Sequence, residues 1–537
     1  MEPAPRAQPA SIPAAWGSRT GPRWQNLAEL VRDAARLHGD REFLRCGDDT
    51  LTFREADERT DRLAGALLAH GVVPGDRIAL QMENSADWPL CWLAAVKAGA
   101  VTVPVNSRCG ASDLAHLLTD SGATLLLSSE SCADLARRVG GPLRQRCAVR
   151  TVRELAAAAV HGPGGRVPGA ERWHPDDTVN FQYTSGTTGF PKACVLSHDY
   201  WLRTAWGIAA ASGLGADDVV LTAQAFSYVD PQWKAVMCLM HGIPLVVLER
   251  FSASGFWPAV RKHRATVTYV LGSMPMLLYK QPPASGERDH AMRLVLCSGI
   301  PRELHRPFEE RWGAAWREVY GSTESGLDLI VPPDDAACTG TGRLGGPPPG
   351  KEVVVADEQG NPVRPGRTGE ILVRGRPLMR EYWNSPQSTG RAFRGGWYRT
   401  GDLGCTDPDG GIRHAGRLKD VIRRGGENIA AAEVESVLEA HPAVLGAAVV
   451  GIPDELFGEL PKAFLLLRDG YRPSVDTVRS VLAHTRRQLA KFKVPAYLEC
   501  VESFPMTPSA RVRKSRLLRP GTDQRSGTFD AAKDRWA

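Results

Sequence analysis

Several features are missing from this chain. No run of about 18 apolar residues occurs in its 537 positions, so no membrane-spanning helix is expected. Its 11 cysteines are scattered without a Cys-x-x-Cys pair, which argues against a metal framework. The N-terminus lacks an apolar leader segment, so the expected compartment is the cytoplasm, with reduced thiols. No long Lys/Arg block stands out, and a net charge of +6 is small for this length, so nucleic-acid binding is not indicated. Lysine is much rarer than arginine, which makes each lysine in a motif more informative. No internal repeat is apparent.

The length exceeds what one core supports, since domains usually hold about 100–200 residues. Met1 to Pro22, rich in Pro, Ala and Arg, reads as a disordered tail. Helix-like and strand-like stretches then alternate. Asn26 can cap a helix through Leu37, Arg77–Gln81 and Val101–Val105 read as strands, and Arg54–His70 reads as an amphipathic helix. This alternation predicts an α/β fold with a largely parallel sheet. Residues 131–169 read as a surface connection. From about 340 to 415, Gly- and Pro-rich turns separate short strands, as in a small β-rich subdomain. A compact α+β texture follows over 419–519, and residues 520–537 read as a frayed tail.

The stretch Tyr183 to His198 carries the first chemical signal. A short strand pattern leads into six small residues, Thr184, Ser185, Gly186, Thr187, Thr188 and Gly189, ahead of Pro191 and Lys192. Glycines let backbone approach a ligand, successive N–H groups and hydroxyls form an anion nest, and a lysine adds positive charge. The set suits a polyphosphate. The spacing is not that of a P-loop, because Lys192 is followed by Ala193 rather than Ser or Thr. An ordinary Gly/Ser/Thr turn is the other reading.

Four further motifs follow in order: Tyr320-Gly-Ser-Thr-Glu, Tyr398-Arg-Thr-Gly-Asp, Gly416-Arg-Leu-Lys-Asp, and Thr507-Pro-Ser-Ala-Arg-Val-Arg-Lys. With these the chain resembles the adenylate-forming superfamily: acyl- and aryl-CoA synthetases, peptide-synthetase adenylation domains and luciferases. The Arg250-Phe-Ser-Ala-Ser-Gly-Phe-Trp stretch is similar to the carnitine/crotonobetaine–CoA ligase branch, which includes ATP-dependent diazotases. The resemblance implies a large AMP-binding N-terminal domain (23–418) of stacked α/β subdomains plus the β-rich part, and a small mobile α+β C-terminal domain. It also implies ATP, Mg²⁺, pyrophosphate release, and CoA where a thioester forms. By the same likeness the catalytic set is Lys192, Glu324 and Arg511. Tyr320, Gly321, Ser322, Thr323, Asp402 and Arg417 join Thr184 to Gly189 in holding the nucleotide. Thr188 and Glu324 would hold the metal, and Lys419 would be the hinge, followed by the loop Gly425-Gly426.

Two departures stand out. Where the family carries Gly-Lys near the C-terminus, this chain has Ala510-Arg511, with Lys514 a little further on. A guanidinium keeps the charge but not the shape of an ammonium. In the acceptor-pocket stretch, Ala225-Phe-Ser-Tyr228 is followed closely by Asp230, which either meets an amine on the substrate or caps the next helix. Tyr228, Asp230, Trp233, Gly272, Cys297 and Gly299 are the pocket candidates. The expected function is an ATP-dependent, AMP-forming acyl- or aryl-CoA ligase of specialised metabolism acting on a small-molecule acid. The alternatives are a diazotase coupling nitrite to an amino-aryl acid, and a nucleotide-binding pseudoenzyme.

Overall fold

The computed structural model describes residues 21–139, 146–161, 167, 169–184, 191–424, 427–506, 512–519 and 521–536. The elements that place the site are β1 (Thr178–Thr184), β2 (Lys192–Ser197), β3 (Val220–Thr222), helix α1 (Val229–His241), β4 (Leu245–Val247), β5 (Val267–Leu271), β6 (Leu294–Ser298), β7 (Ala315–Ser322), β8 (Gly326–Ile330), β9 (Lys351–Ala356), β10 (Thr368–Gly375), β11 (Trp397–Thr406) and β12 (Ile412–Arg417).

Two α/β sheets form the large domain. One runs Ala148–Thr151, Leu125–Ser128, Arg77–Gln81, Val101–Val105, β1, β2. It is parallel except for the β1–β2 pair. The other runs β8, β7, β6, β5, β3, β4, Glu42–Cys46, Asp49–Thr52, with antiparallel pairs only at its two edges. Parallel strands are covered on both faces and so are rich in Val, Leu and Ile. Leu294 and Leu296 of β6 pack into the main core, while Val295 and Cys297 enter a second cluster with Phe256, Trp257, Phe308, Trp312 and Trp316. Asn26 caps the helix Leu27–His38, its side chain accepting from Glu29 N.

The β-rich part is an antiparallel sheet of β9, β10, β11, β12 and Phe393–Arg394. The C-terminal part has its own core, with Ile429, Val434, Leu438, Val449, Leu465 and Val478 fully or almost fully buried.

The structure corrects two sequence readings. Residues 131–169 are not merely a connection: they include most of the helix Glu130–Arg138, the edge strand Ala148–Thr151 and the helix Val152–His161. Alanine-rich composition hid the pattern because alanine marks neither face of a helix. The tail after residue 520 is not frayed either. Phe529–Asp530 pairs with Tyr497–Cys500 and with Arg535–Trp536, and Phe529 is fully buried. The buried Phe529 ring, met edge-on by Trp536, anchors the hairpin in a polar stretch.

Candidate active site

β1 ends at Thr184 and β2 begins at Lys192, with Thr184 Oγ1 donating to the Lys192 carbonyl at 3.5 Å. Ser185, Gly186, Thr187, Thr188 and Gly189 lie outside the described residues. The entry to the stretch is held from outside. The Tyr183 hydroxyl donates to Asp120 Oδ2 at 2.6 Å, and Trp383 Nε1 donates to the Asp120 carbonyl at 2.9 Å. Lys192 Nζ stands 5.5 Å from the centre of the Tyr382 ring, and the Tyr382 hydroxyl donates to Glu324 Oε1 at 2.8 Å. Tyr382 thus stands between the lysine of one motif and the glutamate of another. No sequence signal marked it.

Glu324 rides on the turn between β7 and β8. A Cβ on Gly321 would lie 1.9 Å from the Gly326 carbonyl oxygen, so only glycine closes this hairpin. Ser322 Oγ accepts from the Glu324 and Ser325 amides, both at 3.2 Å, which tightens the turn through Thr323. Beneath it, Lys351 at the start of β9 pairs with Asp328 Oδ1 at 2.5 Å and donates to the Ser325 carbonyl. Ser325 Oγ donates to Asp328 Oδ2 at 2.5 Å. Burial pushes the Lys351 and Asp328 groups toward neutrality, and each one's charge opposes that. This buried pair fastens the Glu324 turn to the β-rich sheet.

Asp402 on β11 faces Arg417 on β12 in register. Tyr320 donates its hydroxyl proton to Asp402 Oδ2 at 3.0 Å. Arg417 Nε lies 2.9 Å from Oδ1 as an ion pair, and His414 Nε2 lies 3.9 Å from it. Burial works to raise the Asp402 pKa. His414, the Arg417 charge and the Tyr320 hydroxyl outweigh it and hold the group below its ordinary value. Oδ1 remains a buried oxygen without an aligned hydrogen-bond donor. An ionised carboxylate with spare acceptor capacity fits a ribose hydroxyl.

The candidate acid-binding residues group around α1. Tyr228 is its N-cap residue and makes no side-chain capping bond. Its hydroxyl accepts from Asn106 Nδ2 at 3.4 Å. Asp230 lies inside the first helical turn, so the capping reading gives way. Trp233 meets Tyr269 of β5 edge-on, with ring centres 5.7 Å apart. Cys297 is fully buried in the tryptophan-rich cluster, because successive strand residues alternate faces. Its neighbour Ser298 takes its place as a candidate, accepting from the Tyr269 hydroxyl at 2.8 Å. Gly299 has a positive φ of 87°, and its amide donates to Glu318 Oε1 at 2.6 Å. Gly272 has φ 60° at the end of β5. A buried amide network ties α1 to β1. Asn180 Nδ2 donates to Gln232 Oε1 at 2.8 Å, Gln232 Nε2 to Gln182 Oε1 at 3.2 Å, and Gln182 Nε2 to the Ser227 carbonyl at 2.7 Å. The strand leading into the glycine-rich stretch and α1 are therefore locked together.

Lys419 lies in a single turn, Leu418–Asp420, immediately after β12, and burial lowers its pKa. Lys514 is engaged by Glu435 Oε1 at 2.7 Å and Asp420 Oδ2 at 3.7 Å, within the C-terminal part. Arg511 and Gly425-Gly426 lie outside the described residues. Among the described residues no cluster of three or more His, Cys, Asp or Glu side chains is placed to hold a metal. Glu324 is a lone carboxylate, a donor set Mg²⁺ accepts when phosphate and water oxygens complete the shell. No described helix is long and apolar enough to cross a membrane.

The family model for AMP-binding enzymes matches residues 31–383, and that for the AMP-binding enzyme C-terminal domain matches residues 433–511. The chain is 32% identical over 521 residues to a crotonobetaine/carnitine–CoA ligase of Salmonella enteritidis PT4 (strain P125109), covering 92% of this chain and 99% of the relative. It is 32% identical over 507 residues to a feruloyl-CoA synthase of Amycolatopsis sp, covering 93% and 99%. The solved o-succinylbenzoate CoA synthetase of Bacillus subtilis, in complex with its acyl-adenylate intermediate, superposes with a TM-score of 0.82 at 27% identity, covering 92% and 99%. Together with the paired Lys192–Tyr382–Glu324 and Tyr320–Asp402–Arg417 groups, these matches make the chain a member of the AMP-binding, adenylate-forming enzyme family, an ATP-dependent ligase of the acyl-CoA synthetase kind.

Proposed function

We propose that the protein adenylates an aryl carboxylic acid with ATP and transfers the acyl group to CoA. The observation that carries the aryl assignment is the Trp233–Tyr269 pair. Tyr269 lies in the middle of β5, beside the last residue of β3, and ligands of open α/β sheets occupy the crevice outside the carboxyl ends of the strands. Tyr228, at the start of the same helix, adds a phenol held by Asn106. The feruloyl-CoA synthase likeness agrees with an aryl substrate.

In this reading Asp402 and Arg417 hold the ribose, and Lys192 with the Thr184–Gly189 stretch holds the phosphates. Glu324, oriented by Tyr382, would hold the Mg²⁺ that ATP brings, and the ion would neutralise charge on the phosphates. The substrate carboxylate displaces pyrophosphate from the α-phosphorus, forming the acyl adenylate. CoA thiolate then displaces AMP. Arg511 supplies positive charge between the incoming carboxylate and the phosphate, and the C-terminal part turns about Lys419 between the two steps. Groups that stabilise developing charge of this kind contribute on the order of 10²–10³ in rate.

The test is pyrophosphate release and thioester formation with ATP, Mg²⁺, CoA and a panel of aryl acids. Aryl-CoA formed without nitrite is the expected result. A second reading rests on the Asp230 carboxylate in the first turn of α1, which would suit an amine: a diazotase that activates nitrite and couples it to an amino-aryl acid. Pyrophosphate appearing only with nitrite overturns the first reading in favour of the second.

A further inference from the structure

The ribose side of the nucleotide site holds one polar side chain that no motif marked, His414. β11 and β12 pair Asp402 with Arg417 and Leu403 with Gly416, and the register then slips, so that Gly404 faces His414. Ala415 is thus the extra residue of a β-bulge. In an unbroken strand His414 and Arg417, three positions apart, would point to opposite faces of the sheet. The extra residue turns His414 back to the face of Arg417, and bulges beside sites re-aim side chains in this way. Both stand at the same oxygen: Arg417 Nε lies 2.9 Å and His414 Nε2 lies 3.9 Å from Asp402 Oδ1. The Tyr320 ring backs the imidazole, with ring centres 6.3 Å apart.

The groups of this cluster offer different chemistry. Asp402 accepts only, and both its oxygens are already engaged, Oδ2 by the Tyr320 hydroxyl and Oδ1 by the Arg417 ion pair. Arg417 donates only. Asp402 is also recessed, its side chain 12% exposed, whereas those of His414 and Arg417 are each 39% exposed. The 3.9 Å between His414 and Asp402 is too long for a hydrogen bond. The imidazole therefore reaches the open side of the cluster with its capacity unspent. A neutral imidazole donates from one ring nitrogen and accepts at the other. That complements a sugar hydroxyl, which also does both. A ribose carries two adjacent hydroxyls, and a recessed carboxylate already serving two donors suits one of them. The exposed imidazole beside it suits the second.

We propose that His414 is a second ribose-binding residue, which takes one hydroxyl of the nucleotide's diol while Asp402 takes the other. A nucleotide lacking either hydroxyl then loses a partner. This inference rests on the reading of Asp402 and Arg417 as the ribose site.

The experiment is isothermal titration calorimetry of the full-length protein with AMP, 2′-deoxy-AMP and 3′-deoxy-AMP, which requires no choice of acid. Wild type is expected to bind each deoxy analogue more weakly than AMP by roughly threefold or more, the factor a single hydrogen bond supplies. His414→Phe keeps a flat ring and removes both nitrogens. It should bring one of the two deoxy-to-AMP ratios close to one and leave the other in place. His414→Gln, whose amide still donates and accepts, should keep part of the ratio that the Phe variant loses. Thermal melting checks that both variants are folded. Ratios in folded His414→Phe equal to those of wild type overturn the role of His414 and leave the ribose site standing, even where AMP itself binds more weakly. If wild type binds both deoxy analogues as tightly as AMP, the ribose reading of Asp402 falls and this proposal with it, and that arm needs no variant.

Discussion

Among the described residues on the nucleotide side, charged groups meet either an opposite charge or the Tyr382 side chain. Asp402 faces Arg417, Glu324 takes the Tyr382 hydroxyl near Lys192, and Asp328 takes Lys351 beneath them. On the acid side the polar groups are bonded mainly to neutral amides, hydroxyls and rings: Gln232 to Asn180 and Gln182, Lys234 to Thr222 and Gln224, Glu318 to the amides of Gly299 and Ile300. The difference reflects what each side meets. ATP is a constant partner, so its side is built from short motifs and fixed ion pairs. The acid varies between relatives, and its recognition is spread over segments that carry no motif.

Substitutions can break this contrast at several points. The largest expected effect is on Lys351. Lys351→Met leaves Asp328 buried without its cation, and removing one partner of a buried pair costs about 3–5 kcal/mol. Urea unfolding should show this, and adding Asp328→Leu should recover part of the loss. A loss under 1 kcal/mol would mean the pair does not anchor the Glu324 turn. Next, Glu324→Gln should lower kcat/KM by on the order of 10²–10³ for every acid tested, with acid preference unchanged. A change in acid preference instead would show that the two sides are not separable. Tyr382→Phe should cost about 1.5–3 kcal/mol of the same activity, the usual worth of a hydrogen bond to a charged group. Unchanged turnover would remove Tyr382 from the site.

Glu318 sharpens the acid side through pH. Burial raises its pKa to about 7, although two backbone amides favour its ionised form. A raised folded-state pKa means the folded protein holds the proton longer than the unfolded chain. Stability from this group is therefore complete below its ordinary value and is lost as pH rises toward 7. The expected loss is about 1–3 kcal/mol between pH 4.5 and 7, at about 1.4 kcal/mol per pH unit at most. Glu318→Gln should flatten that part of the profile; an equal slope in the variant would place its cause elsewhere. The smallest effect is expected at Lys493→Ala, whose partner Glu433 is on the surface of the C-terminal part. An exposed pair is worth about 0.2–1 kcal/mol, so melting should shift by little.

The order of strands and helices, the β-rich segment and the nucleotide motifs were legible because each leaves a local trace: alternation, turn residues, or a run of small residues before a lysine. Asp402 and Arg417 were each marked by a motif, and the structure pairs them across adjacent strands. Tyr382 could not, because it approaches Glu324 from a loop that has no pattern of its own. Cys297 and Ser298 show a finer limit. They are neighbours in sequence, and a strand sends one into the tryptophan cluster and the other to Tyr269.

By itself the amino-acid sequence determined the family and the use of ATP, since backbone cradles and motif carboxylates are local features that recur whatever the acid. Only the tertiary structure decided which buried lysines touch a carboxylate and which meet neutral oxygens first. Lys234 looked like any lysine in a helical run. Its burial against Thr222, Gln224, Trp233 and Tyr269 depends on how α1 packs on β3 and β5, and such packing comes from contacts distant in the chain.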